Sequence, residues 1–206
     1  MDILAKRYWV FDLDGTLTLP VHDFAMIRSA LGVPEGSDIL DYLAALPEEK
    51  AQPLHERLDG IERGLVVRTD AAQGARELVE LLSRRGCRLG ILTRNTREIA
   101  RLTLARIGLD GFFETWAILG REEALPKPEP EGICRLAALW RTGPAELVMV
   151  GDYLYDLQAG RAAGAATVHV HGSRDRRWPE WTDLCVVSLG ELADLVRRGE
   201  RIIASR

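Results

Sequence analysis

The chain has 206 residues, 47% of them hydrophobic and 28% charged, with a formal net charge of -4. That length and balance suit one domain, or one domain carrying a sizeable insertion, with an ordinary apolar core. They exclude the basic footprint of a nucleic-acid binder, and no run approaches the roughly 18 apolar residues that a membrane span requires.

In chain order, YWVF at 8–11 predicts a short strand buried on both faces, and it runs into FDLDGTLT, which sets Asp12 and Asp14 one residue apart. Two like charges so close raise each other's pKa, so the pair demands a physical reason. Residues 19–73 carry the helical patterns DFAMIRSALG, SDILDYLAAL and EEKAQPLHERLDGIERGL, punctuated by Pro34 and Pro47, with no convincing strand. Residues 71–85 place Ala75, Leu78, Val79 and Leu82 on one helix face, and Gly86 follows as a stop. CRLGILT then predicts a second strand, and residues 96–107 a helix capped by Thr96 and ended by Gly108. TWAIL predicts a third strand, 131–140 a helix, ELVMV a fourth strand, 154–163 a helix and ATVHV a fifth strand. LCVVSL at 184–189 predicts a sixth strand before a final helix, ELADLVRR. Arg84-Arg85 and Arg197-Arg198 read as helix ends, where cations suit the dipole.

Strand and helix alternate from residue 74 onward. The expected fold is therefore α/β: a Rossmann-like parallel sheet with helices on both faces. A small α-helical cap is inserted after the first strand. Residues 1–18 and 74–206 form the core on this reading, and 19–73 form the cap. Cys87, Cys134 and Cys185 are far apart and make no CxxC pair, which argues against a disulfide framework or a zinc site and suits a reducing cytosol. The first ten residues lack the apolar stretch of a signal peptide, so a cytoplasmic location is expected.

In an open parallel sheet, ligands bind outside the carboxyl ends of the strands. The first strand ends in Asp12 and Asp14, the second in Thr93 followed by Arg94 and Asn95. The third is followed by Lys127 in PKPEP, and the fourth by Asp152 with Asp156 four residues on. Carboxylates meeting in one place need a cation, and hard oxygen ligands point to Mg²⁺. The lysine adds positive charge and the threonine a donor, so the group such a site suits best is phosphate. His22, His55, His169 and His171 show no ligand spacing, and the last two read as structural residues of a strand or its end.

FDLDGTLT, ILTRN, PKPEP and GDYLYD, in that order, resemble the four motifs of the haloacid dehalogenase-like (HAD) hydrolase superfamily. With the helical segment between the first two, the chain resembles the phosphoglycolate phosphatase and β-phosphoglucomutase branch. The resemblance implies that Asp12 is the nucleophile and Asp14 the general acid and base. It implies that Thr93 and Lys127 are catalytic groups that bind the phosphate, with Gly15, Arg94 and Asn95 as further substrate contacts. It also implies a Mg²⁺ site of Asp12, Asp152 and Asp156, to which Asp14 adds its backbone carbonyl; Asp156 is alternatively read as orienting Lys127. Tyr153 departs from the small residue that often follows GD in the fourth motif.

The function implied is a Mg²⁺-dependent phosphatase that hydrolyses a small phosphomonoester through a phospho-aspartate. The alternatives are a phosphomutase of the β-phosphoglucomutase type and, outside enzymes, a phosphate-ligand sensor or scaffold on a HAD core. A dead core should have lost Asp12, Asp14, Lys127 or Asp152, and all four are present. The expected partner is a small phosphorylated metabolite, with no nucleic acid and no membrane, and the chain is compatible with a monomer or a homodimer.

Overall fold

The computed structural model describes residues 3–172 and 175–204. Among them, six strands form one sheet: β1 (Tyr8–Phe11), β2 (Arg88–Leu92), β3 (Ile118–Leu119), β4 (Leu147–Gly151), β5 (Ala166–Val170) and β6 (Leu184–Val186). Their order is β3-β2-β1-β4-β5-β6, and every pairing is parallel. The α/β sheet expected from the sequence is present. Eight helices accompany it: α1 (Phe24–Leu31), α2 (Ile39–Ala44), α3 (Glu48–Val66), α4 (Ala75–Arg84), α5 (Arg97–Arg106), α6 (Glu131–Leu139), α7 (Leu154–Ala163) and α8 (Leu189–Ala204).

The strands are mostly apolar, with Thr167 and His169 of β5 as buried polar exceptions, because helices cover both faces, as parallel sheets require. Side chains alternate along β1. Trp9 and Phe11 join Leu78 and Leu82 of α4, Leu104 of α5 and Leu192 of α8 in one buried cluster. Val10 joins Ile133 and Leu136 of α6 and Ala159 of α7 in the other. Chain order runs outward from β1 through β2 to β3, then returns to β4 on the other side of β1. The reversal point lies between β1 and β4, where open α/β sheets leave a crevice for ligands. Phe11 pairs with both Ile91 and Val150, so the ends of three strands sit at one level.

Helices α1 to α3 fill the span between β1 and β2 and bury an apolar group of their own: Ile27, Leu31, Val33, Leu43 and Leu58. The chain enters and leaves this helical segment at a narrow neck. Thr18 and Ala71 form an isolated antiparallel bridge. Leu19 N–H donates to Asp70 O, and Ala72 N–H to Leu17 O, each at 2.9 Å.

Three elements differ from the sequence reading. TWAIL contributes only Ile118–Leu119 to the sheet, because Thr115–Ala117 turns tightly and Ala117 N–H donates to Glu114 O at 2.8 Å. LCVVSL stops pairing at Val186. There the Glu191 carboxylate accepts from Val187 N–H at 2.7 Å and Ser188 Oγ accepts from Glu191 N–H at 3.2 Å. These two bonds satisfy amides at the start of α8 and turn the chain into the helix. That helix continues to Ala204, so Arg197 and Arg198 lie within it, not at its end. Arg197 pairs with Asp194 at 3.0 Å and with Glu77 of α4, contacts that replace the dipole explanation. Cys87, Cys134 and Cys185 form no disulfide. Among the described residues no helix is long and apolar enough to cross a membrane.

Candidate active site

Asp12 leaves β1 while still tied to the sheet, its N–H donating to Val150 O at 2.9 Å. The tight loop Leu13–Leu17 follows, closed by Thr18 N–H donating to Leu13 O at 3.1 Å. Gly15 takes φ +93° there, and a Cβ at this position would stand 2.8 Å from Asp152 Oδ2. Both the backbone conformation and the space therefore demand glycine. The loop brings Thr16 between two carboxylates, with Oγ1 2.9 Å from Asp12 Oδ2 and 3.1 Å from Asp152 Oδ1.

Lys127 sits between Pro126 and Pro128 and is only 3% exposed. Its Nζ lies 2.6 Å from Asp12 Oδ1 and 2.6 Å from Asp156 Oδ1. Burial alone would lower its pKa, but the Asp12 and Asp156 carboxylates outweigh burial and raise it, so the ammonium stays charged. Asp156 occupies the first turn of α7, and its second oxygen accepts from Tyr153 N–H at 3.0 Å. Burial pushes its carboxyl up to about 7, against the pull of Lys127 and with the push of Asp12 and Asp152.

Carboxylate oxygens of Asp12, Asp152 and Asp156 lie within 4.8 Å of one another, and all three residues are buried. When all are ionised, three carboxylates and one ammonium leave two negative charges in a buried place, and the raised Asp156 carboxyl reflects that repulsion, which a cation would relieve. The donors are all hard oxygens. The set fits a divalent hard cation.

Asp14 stands apart from that cluster. Its backbone is extended (φ −83°, ψ 107°), and its Oδ2 accepts from Asn95 Nδ2 at 2.8 Å. Burial raises its carboxyl, His22 opposes the rise and Asp12 adds to it. Two aspartates one residue apart thus sit in different environments, one against an ammonium and the other against a neutral amide.

Thr93 continues β2, its N–H donating to Leu119 O at 3.0 Å, and its Oγ1 accepts from Asn95 N–H at 3.0 Å. Arg94 turns towards the helical segment. Its guanidinium meets Asp38 Oδ1, at the N-terminus of α2, at 2.5 Å, and lies 5.0 Å from the centre of the Tyr155 ring. Tyr153 is 42% exposed. Its ring packs edge-on against Tyr155 and Trp178, so it leans on core residues and not on the helical segment. His169 is buried in β5 with its ring against Trp178 and His171, as a structural residue would be.

The sequence reading missed several partners: Thr16, Asp38, Tyr155 and an ionic group around Arg121. Arg121 is nearly buried and forks onto Glu62 of α3, at 2.9 and 3.3 Å, and onto Asp59 of the same helix. Thr16 was visible inside FDLDGTLT. Glu62 had a weaker signal, since it falls on the buried face of α3 between Leu58 and Leu65, where an acid needs a partner. Burial raises the Glu62 carboxyl to about 7 despite the opposing pull of Arg121, with Asp14 and Asp59 adding to the rise.

A carboxyl raised by folding binds its proton more tightly in the native chain. Its stabilising contribution is full below about pH 4.3 and is lost as pH rises towards 7. Glu62→Gln removes that loss. Between pH 5 and 7.5 the variant should lose roughly 1–3 kcal/mol less stability than wild type in urea titrations. Parallel stability profiles for the two proteins would contradict this.

A family model described as haloacid dehalogenase-like hydrolase matches residues 7–164. An uncharacterised hydrolase of Saccharomyces cerevisiae is 31% identical, over 91% of this chain and 89% of its own length. A phosphoglycolate phosphatase of Chromobacterium violaceum is 30% identical, over 92% of this chain and 96% of its own. Among solved structures, a hydrolase from Pseudomonas syringae superposes with a TM-score of 0.76 at 22% identity, covering 94% of this chain and 98% of that one.

Proposed function

This chain belongs to the haloacid dehalogenase-like hydrolases, and from that premise we propose that it is a Mg²⁺-dependent phosphatase acting on a small phosphomonoester. The observation that carries the proposal is the pair of differently held aspartates. Asp12 is gripped by the Lys127 ammonium at 2.6 Å, whereas Asp14 accepts from the Asn95 amide at 2.8 Å and feels His22. Carboxyl groups whose environments diverge in this way take different chemical roles.

On this reading Asp12 attacks phosphorus. An Asp12 O–P bond forms as the bond from phosphorus to the leaving oxygen breaks. Asp14 gives its proton to the departing alkoxide. Water then attacks the aspartyl-phosphate, its proton passes to Asp14, and phosphate leaves with Asp12 restored. Lys127 offsets the charge that gathers on the phosphoryl oxygens, and the Thr93 hydroxyl donates to one of them. Asp12 and Asp152 would hold the Mg²⁺ ion, with the Asp14 carbonyl, and Asp156 would orient Lys127 beside it. When bound, the ion supplies positive charge that offsets repulsion between the carboxylates and the phosphate. Arg94 and Asn95 complete the substrate contacts. Similarity to the Chromobacterium violaceum phosphatase makes phosphoglycolate the first metabolite to try.

The test is phosphate release from p-nitrophenyl phosphate, phosphoglycolate and a panel of other phosphorylated metabolites, with and without Mg²⁺ and with no sugar acceptor. Release that needs Mg²⁺ and stops with EDTA is expected. Full activity in EDTA would remove the metal from the proposal. Turnover only when a sugar acceptor is added would make the chain a phosphomutase.

A further inference from the structure

We propose that Arg121 is a positioning residue that ties the seating of helix α3 to the placement of the Asp14 carboxylate. The inference rests on the reading of Asp14 as the proton donor. Arg121 holds the short loop after β2 twice. Its backbone N–H donates to Asn95 O at 2.9 Å, and its guanidinium donates to Arg94 O at 2.9 Å. Both carbonyls of that loop are thereby fixed by one residue. The loop contact that matters for chemistry is the one in which Asn95 Nδ2 donates to Asp14 Oδ2. Arg121 meets Arg94 and Asn95 through their backbone carbonyls, and its influence on Asp14 passes through Asn95.

The far side of the guanidinium belongs to the helical segment. Glu62 takes both terminal nitrogens and Asp59 takes one of them. An arginine fork suits this task because its donors are coplanar and fixed, so holding two carboxylates also fixes the donor that points at the Arg94 carbonyl. Lysine offers the charge without the fork. A second contact acts in parallel, since Arg94 itself meets Asp38 at the start of α2. Three acids of the helical segment therefore grip two arginines that flank Asn95. With α3 seated, Asn95 is held where it presents its amide to Asp14. With α3 displaced, Arg121 loses its carboxylates and the loop loses its clamp.

The experiment compares kcat/KM for an alkyl phosphate, glycerol 1-phosphate, with that for p-nitrophenyl phosphate. An alkoxide needs a proton to leave, whereas p-nitrophenolate leaves unaided, so only the first substrate reports on a misplaced acid. Asp14→Asn sets the scale. Arg121→Met should cut kcat/KM for the alkyl ester by about 10- to 100-fold and that for the aryl ester by about threefold or less. Arg121→Lys should behave similarly, and it reads the same effect if the methionine variant fails to fold. Glu62→Gln should shift the ratio in the same direction by less, since Asp59 remains. Amide hydrogen exchange at residues 93–95, measured without substrate, should quicken in the Arg121 variants. Equal losses on both esters would make Arg121 merely structural and would overturn the inference while leaving the phosphatase reading intact. A wild-type protein inert towards every phosphomonoester would overturn both.

Discussion

Asp12→Asn is expected to lower turnover on the order of 10⁴-fold or more and, in chelator, to leave the melting temperature unchanged or higher. The two halves of this result come from the same geometry. Asp12 directly follows β1, contacts Lys127 and lies beside Asp152, whereas Asp156, the other carboxylate on Lys127, stands in the first turn of α7; on the proposed reading Asp12 is therefore the nucleophile. An amide of nearly the same shape preserves the packing and keeps the Thr16 contact possible. It also removes one negative charge from a buried cluster that has two in excess. Without a cation, the wild-type chain carries that repulsion as a standing cost, and the variant does not. Function and stability should therefore move in opposite directions, as they do where a site stores unfavourable electrostatics. Phosphate release sets the first half and thermal unfolding in EDTA the second. A variant that both retained turnover and melted lower would invert the assignment of Asp12.

Lys127→Met should be the most damaging single change to the fold. It removes the one cation that Asp12 and Asp156 share, and leaves their carboxylates buried and facing each other. Breaking a buried ion pair from one side costs roughly 3–5 kcal/mol, measurable as a lower urea midpoint. Activity should fall steeply too, because the phosphoryl charge would lose its buried ammonium counter-charge. The double variant Lys127→Met, Asp156→Asn separates the two effects. Removing the second charge should recover part of the lost stability and none of the activity. Divalent ions should also protect Lys127→Met more than they protect wild type, since an ion would then be the only counter-charge available. Equal midpoints for Lys127→Met and wild type would mean that the buried pair contributes nothing.

The parts of this site that could be read in the sequence are local ones. Asp12, Thr93 and Asp152 each follow an apolar run, which announces a strand end whatever the rest of the chain does, and Lys127 is marked by the prolines on either side of it. The strands themselves were legible because burial on both faces makes them continuous and apolar. Edges are harder. β3 is a two-residue edge strand, and nothing in TWAIL says that its first half will turn tightly instead of pairing. Side-chain partners across long sequence gaps were invisible for a different reason. Arg121 and Glu62 are 59 residues apart, and an arginine in a charged loop looks solvated until a helix from elsewhere covers it. Asp38 likewise reads as an ordinary helix cap, which it is: its carboxylate accepts from Leu40 and Asp41 N–H while also holding Arg94. A residue doing two jobs shows only the local one in its own neighbourhood.

The neck at Thr18 and Ala71 has a consequence for what this scaffold can become. Because Thr18, after the β1 loop, and Ala71, before α4, pair across the neck, the chain returns almost to where it departed. Segments with ends this close are the ones that proteins insert, shorten or exchange without redrawing the rest. Asp12, Asp14, Asp152, Asp156 and Lys127 all stand on the near side of that doorway. Change in the three helices beyond it leaves those groups where they stand and reaches them through the bonds that cross back, among them those of Arg121 to Glu62 and Asp59 and of Arg94 to Asp38.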